Sequence, residues 1–99
     1  MLRKVVFSKT SIKRLFILLE YLEDKWSIKV RDEFEEKLNH SIETIVLLPE
    51  IFPKSEYRKN DHKCVVSKQT IFFYRFNSKK IFIAEIIDTR QDPKNIKKV

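Results

Sequence analysis

The side chains best suited to chemistry lie in the second half of this chain. His62 is an imidazole, the side chain best suited to serve as an acid–base group near neutral pH. Around it in sequence stand Arg58, Lys59, Lys63, Arg75 and Arg90, cations of the kind that steady a phosphate or meet a carboxylate. Each has a plainer reading beside it. His62 reads equally as a loop histidine, Lys63 as a solvated charge at a strand end, and Arg90 as the partner of Asp88 or Asp92. Cys64 is the only cysteine, and its place in a strand suits a buried, inert thiol. Glu35 and Glu36 are neighbours on a helix and point in different directions, so they do not form an acid–base pair. With one cysteine and two histidines, His40 and His62, a zinc site is not expected, and no motif asks for a cofactor.

Charge sharpens this picture. The chain has 99 residues and a net charge of +7. Residues 1–50 carry nine Lys/Arg and nine Asp/Glu, whereas residues 51–99 carry twelve and five, so the whole excess sits in the second half. A basic half beside a neutral half predicts a face turned towards nucleic acid, an acidic protein segment, or both in turn. The plain alternative is a charge bias that serves solubility. No stretch is apolar enough to span a membrane, and Val5-Val6-Phe7 is too short for a signal peptide core. A cytoplasmic, non-membrane protein without disulfides is the expectation.

The elements that must position these residues follow from periodicity. Residues 2–7 read as a strand. Ser8, Thr10 or Ser11 can cap a helix over about 9–24, with Ile12, Leu15, Phe16, Leu19, Leu22 and Trp26 as its apolar stripe. Trp26 should plug the corner before Ser27 caps a second helix over about 28–48, whose stripe is Val30, Phe34, Leu38, Ile42 and Ile45. The short link makes the pair an antiparallel hairpin, and Pro49 ends it. Residues 49–62 read as a loop, moderately long for so small a domain. Strands follow over 63–68, 71–76 and 81–88. The middle one is apolar on both faces, and Tyr74 should pack there with its hydroxyl at an edge. The chain has no glycine, so Asn77 is the expected residue for a left-handed turn. The fold class is therefore α+β, in the order β-α-α-β-β-β: one domain over 1–99, with the helical hairpin on a mainly antiparallel four-stranded sheet. A polar, basic tail at 89–99 should fray.

Four stretches carry a family resemblance. They are Tyr21-Leu22-Glu23-Asp24-Lys25-Trp26-Ser27, Leu48-Pro49-Glu50-Ile51-Phe52-Pro53, Ile71-Phe72-Phe73-Tyr74-Arg75-Phe76 and Ile86-Ile87-Asp88-Thr89-Arg90-Gln91-Asp92-Pro93. In this order and spacing the chain resembles the RelE/ParE toxins of type II toxin–antitoxin pairs, which arrest growth or stabilise plasmids until an acidic antitoxin neutralises them. The resemblance implies one of two targets. ParE-like members inhibit DNA gyrase without catalysis, and RelE-like members cut messenger RNA in the ribosome. It also implies sites. Lys63 lies near the family's strand arginine and Arg90 near the arginine after the last strand, with His62 as an added acid–base group. Arg58, Lys59, Lys63, Arg75, Arg90 and Trp26 would meet the antitoxin or target. RelE-like enzymes often carry a catalytic tyrosine near the C-terminus, but no tyrosine follows Tyr74 here. That departure makes a ParE-like gyrase inhibitor the leading expectation. A RelE-like endoribonuclease is the alternative, and a decayed toxin that keeps only antitoxin binding is a third.

Overall fold

A computed structural model describes residues 2–90. The elements are β1 Lys4–Phe7, α1 Lys9–Lys25, α2 Ile28–Leu47, β2 His62–Val65, β3 Thr70–Phe76 and β4 Lys80–Asp88. The four strands form one sheet in the order β1-β4-β3-β2. β1 runs parallel to β4, and the other two pairings are antiparallel. β1 and β2 are thus the two edges, and the helical hairpin carries the chain from one to the other. Two short links then bring it back through β3 to β4, in the centre. This is the α+β arrangement the sequence implies.

Capping fixes where the helices begin. The Ser8 hydroxyl accepts the Ser11 N–H at 2.9 Å and donates to the Ala84 carbonyl at 2.8 Å, so one side chain starts α1 and ties it to β4. Ser27 accepts the Val30 N–H at 3.1 Å and starts α2. The core lies between the helices and the sheet. Leu18 and Leu22 of α1 and Phe34, Leu38 and Ile45 of α2 close over Cys64, Phe72, Tyr74, Ile81, Ile83 and Ile86. The opposite face carries a smaller cluster of Ile71, Phe73 and Ile87. β3 is therefore covered on both faces, as its continuous apolar run implies.

Three details differ from the sequence reading. The buried face of α1 is Ser11, Leu18 and Leu22 flanked by Leu15, while Phe16 is 64% exposed. At about 100° per residue, Phe16 is turned roughly 140° from Ser11 and faces outward. Ser11, one of the three cap candidates, is not the cap but is buried, and its hydroxyl reaches the Ser8 and Ile83 carbonyls, each at 3.0 Å, and is satisfied. Trp26 does not plug the corner: it is the C-cap of α1 and is 60% exposed. Asn77 does not take a left-handed conformation, and no described residue has positive φ. Its side-chain oxygen instead accepts the N–H groups of Lys79 and Lys80 at 2.8 and 2.9 Å, an Asx turn that closes the hairpin without glycine.

The connection over 49–61 is ordered by its own polar groups. The Ser55 hydroxyl accepts the Tyr57 and Arg58 N–H groups at 3.1 and 3.0 Å, and the Ser55 N–H donates to the Asp61 carbonyl at 2.8 Å. The segment then lies against the sheet face that the helices leave open. The Tyr57 and Phe73 rings are 6.4 Å apart, and the Arg58 guanidinium is 5.6 Å from the Phe73 centroid. Of the expected tail over 89–99, Thr89 is anchored through its N–H to the Gln69 carbonyl at 2.8 Å, and residues 91–99 lie outside the described residues.

Candidate functional site

The polar residues gather at the two ends of β3. At the end where β2 begins, Asp61 is 1% exposed and lies between two arginines. Arg58 Nε donates to its Oδ2 at 2.7 Å, and Arg75 Nε stands 2.9 Å from its Oδ1 as an ion pair, out of line for a hydrogen bond. The Arg75 guanidinium also lies 5.5 Å from the Phe82 ring centroid. One buried carboxylate thus fixes both cations, and each keeps much of its guanidinium towards solvent.

Next to this clamp is a cleft of about 490 Å³ lined by Glu50, Lys54, Asn60, His62, Arg75 and Phe76. It is joined through Asn60 and Arg75 to a second hollow of about 250 Å³, to which Arg58, Lys59 and Asp61 contribute. His62 is held firmly. Its Nδ1 is 2.7 Å from the Phe52 carbonyl, and its ring lies 5.3 Å from Tyr74 and 5.2 Å from Phe76. A carbonyl can only accept, so Nδ1 carries the proton and Nε2 is the acceptor of the neutral ring.

At the other end of β3, Arg90 closes a separate cluster. Its Nε and terminal nitrogen reach the Asp88 carboxylate at 3.0 and 2.8 Å, and its backbone N–H donates to the same carboxylate at 2.9 Å. The Thr70 hydroxyl donates to Asp88 as well, and Tyr21 donates to the Arg90 carbonyl at 3.2 Å. Arg90 therefore pairs with Asp88; Asp92 lies outside the described residues. His62 is paired with Tyr74 and Asp88 with Thr70. Four residues of strand, about 13 Å, separate the two ends.

The structure places His62 and Arg75 on one cleft, Arg58, Lys59 and Arg75 on the adjoining hollow, and Arg90 and Trp26 elsewhere. Lys63 is half-buried in β2 opposite Phe73, and its N–H donates to the Pro53 carbonyl at 2.9 Å. As sequence neighbours in one strand, His62 and Lys63 point to opposite faces. Lys63, His62 and Arg90 therefore do not converge on one point. Sequence reasoning missed Asp61, Lys54, Asn60 and Phe76. The spacing Arg58…Asp61 was the one signal that could have found the clamp, since three residues in a tight loop suit an ion pair.

Two buried groups are held out of acid–base work. Burial pushes the Cys64 thiol up to about 11. Burial, with Cys64 nearby, pushes the Tyr74 phenol up to about 12, and its hydroxyl donates to the Pro49 carbonyl at 2.7 Å rather than lying at an open edge. Among the described residues no cluster of His, Cys, Asp and Glu could hold a metal, and no helix is long and apolar enough to cross a membrane.

No protein-family model and no curated protein matches the sequence. Solved structures do share the fold. The E. coli DinJ–YafQ toxin–antitoxin complex contains a chain that matches 93% of this protein over 98% of its own length, with a TM-score of 0.61 and 11% identity. A variant of E. coli YafQ matches 90% of this chain over 96% of its own, with a TM-score of 0.56 and 12% identity. A second DinJ–YafQ complex matches over 91% and 97%, with a TM-score of 0.54 and 12% identity. At this identity the likeness is one of fold: the two helices and four-stranded sheet of this chain are those of the YafQ structures.

Proposed function

We propose that this protein is the toxin of a type II toxin–antitoxin pair and that it acts as RelE-family toxins do, by cutting messenger RNA on the ribosome. The observation that carries this reading is the shared fold along nearly the whole chain with YafQ, a RelE-family toxin. That likeness favours the RNA-cutting alternative over the gyrase inhibitor to which the absent C-terminal tyrosine had pointed. An acidic antitoxin is the partner the reading requires.

The chemistry asked of the chain is attack of a 2′-hydroxyl on the adjoining phosphate. That step needs a proton acceptor, positive charge on the phosphorane and a proton donor to the leaving oxygen. His62, with Nδ1–H bonded to Phe52, has Nε2 to take the 2′-hydroxyl proton and then return it to the leaving 5′-oxygen, and Arg75, with Arg58 beside it, supplies positive charge for the phosphorane. Arg90, locked to Asp88, holds the end of β4 in this reading. The experiment is a primer-extension assay on messenger RNA with and without translating ribosomes, beside a gyrase supercoiling assay. Cleavage that appears with ribosomes, and unimpaired supercoiling, is the expected outcome. Blocked supercoiling with intact message would return the gyrase reading to first place.

A further inference from the structure

The cleft beside His62 has a composition that a general basic surface would not need. A phosphate-binding patch requires cations alone, yet this cleft combines an aromatic wall, His62 and Phe76, with a carboxylate, Glu50, and an amide, Asn60. Its cations lie in one direction: Lys54 and Arg75 at the cleft itself, then Arg58 and Lys59 in the hollow that shares Asn60 and Arg75. The clamp on Asp61 holds Arg58 and Arg75 in place before any ligand arrives. Single-stranded RNA is recognised by this combination, with bases packed on aromatic rings, polar groups on the base edges and a positive track along the backbone.

We propose that the cleft seats one nucleotide of a single-stranded RNA. Its base lies against the His62–Phe76 wall, and its phosphates follow Arg75 towards Arg58 and Lys59. This rests on the RNA-cutting reading and adds to it a base preference. Glu50 as a carboxylate accepts only, through two oxygens. Those two acceptors select a base edge rich in donors. Guanine offers an imino N–H and an amino group side by side, whereas uracil flanks its one N–H with carbonyls that a carboxylate repels. Guanine is therefore preferred over uracil. The volume, about 490 Å³, falls within the range of small-molecule clefts.

The test uses the full chain and 5′-labelled pentaribonucleotides, UUGUU and UUUUU, titrated by fluorescence anisotropy. Glu50, Lys54 and Lys59 are exposed, so their variants should keep the fold, as circular dichroism would verify. Wild type should bind UUGUU roughly fivefold or more tightly than UUUUU, the size of one good base-edge contact. Glu50→Gln should erase that preference. Lys54→Ala and Lys59→Ala should weaken both oligonucleotides alike and flatten the salt dependence. Equal binding of the two by wild type, or variants that bind as wild type does, overturns the proposal, as does no binding at all. Ribosome-dependent cleavage is measured in parallel and separates the two ideas. Cleavage retained without base preference sinks the subsite alone, whereas the expected binding without cleavage supports the subsite and sinks the cleavage reading.

Discussion

Asp61 shows how one side chain can organise a surface. Its carboxylate is buried, its two arginines are 32% and 51% exposed, and without it both guanidiniums would be free to leave the sheet. Asp61→Asn keeps the shape and removes the charge. Because water can take over part of what the arginines lose, the expected cost is about 1–3 kcal/mol, read by chemical denaturation. A loss under about 0.5 kcal/mol would mean that the clamp does not hold the loop. Cys64 makes a prediction of another kind. The thiol ionises near 9.0 when free and near 11 when folded. Below pH 9 both states keep the proton and stability is unaffected. Between about 9 and 11 the unfolded chain releases it and the folded chain does not, so stability falls as pH rises through that window. Tyr74, raised from 10.0 to about 12, extends the loss to higher pH. Denaturation midpoints at pH 8 and pH 10.5 should show the decline, and Cys64→Ala should lessen it. The buried thiol was legible from its place in a strand, but the clamp was not, because Asp61 sits in a polar run without periodicity, and only Arg75, returning from β3, makes it a centre.

At the scale of elements, legibility followed periodicity. The α2 stripe was readable because Phe34, Leu38 and Ile45 recur on one face, and all three are buried. Phe34→Ala should cost about 3–5 kcal/mol, the usual range for a buried phenylalanine. Thermal melting that changes little would show that Phe34 is not part of the core. The α1 stripe was misplaced on its outer side because the apolar residues outnumber one face. Phe16, Ile17, Leu18 and Leu19 run consecutively, and only the tertiary contact with β4 decides that Leu18 goes in and Phe16 stays out. Asn77 was assigned to the right turn by the wrong means. Its choice between left-handed backbone and side-chain bonding depends on the N–H groups of Lys79 and Lys80, which only the paired strands bring within reach. The candidate site was half readable. Cations could be counted in sequence, but which of them share an end of β3 depends on register, and that was beyond reach while the strand order was unknown.

At the scale of the whole molecule, the proposed toxin–antitoxin reading gives charge and apolar exposure separate parts in meeting a partner. The second half of the chain carries the net +7, and Arg58, Lys59 and Arg75 cluster at one end of the sheet. Leu47, Leu48 and Ile51 are exposed around the end of α2 and line a hollow with Arg3 and Glu50. An acidic antitoxin with an apolar stripe would be drawn in by the first and held by the second. Long-range attraction acts on the encounter and is screened within about 10 Å at 0.1 M salt, whereas apolar burial acts mainly on dissociation. The two contributions can therefore be separated by kinetics. Between about 50 and 500 mM salt the association rate with the cognate antitoxin should fall by on the order of tenfold, while the dissociation rate changes little. Leu47→Ser with Leu48→Ser should do the reverse, leaving association nearly intact and speeding dissociation. These side chains are exposed in the free protein, so the double variant should fold normally. An association rate indifferent to salt would remove the role given to the basic half. A dissociation rate indifferent to the double substitution would move the apolar contact elsewhere, with exposed Phe16 and Trp26 on the helical side as the next surface to vary.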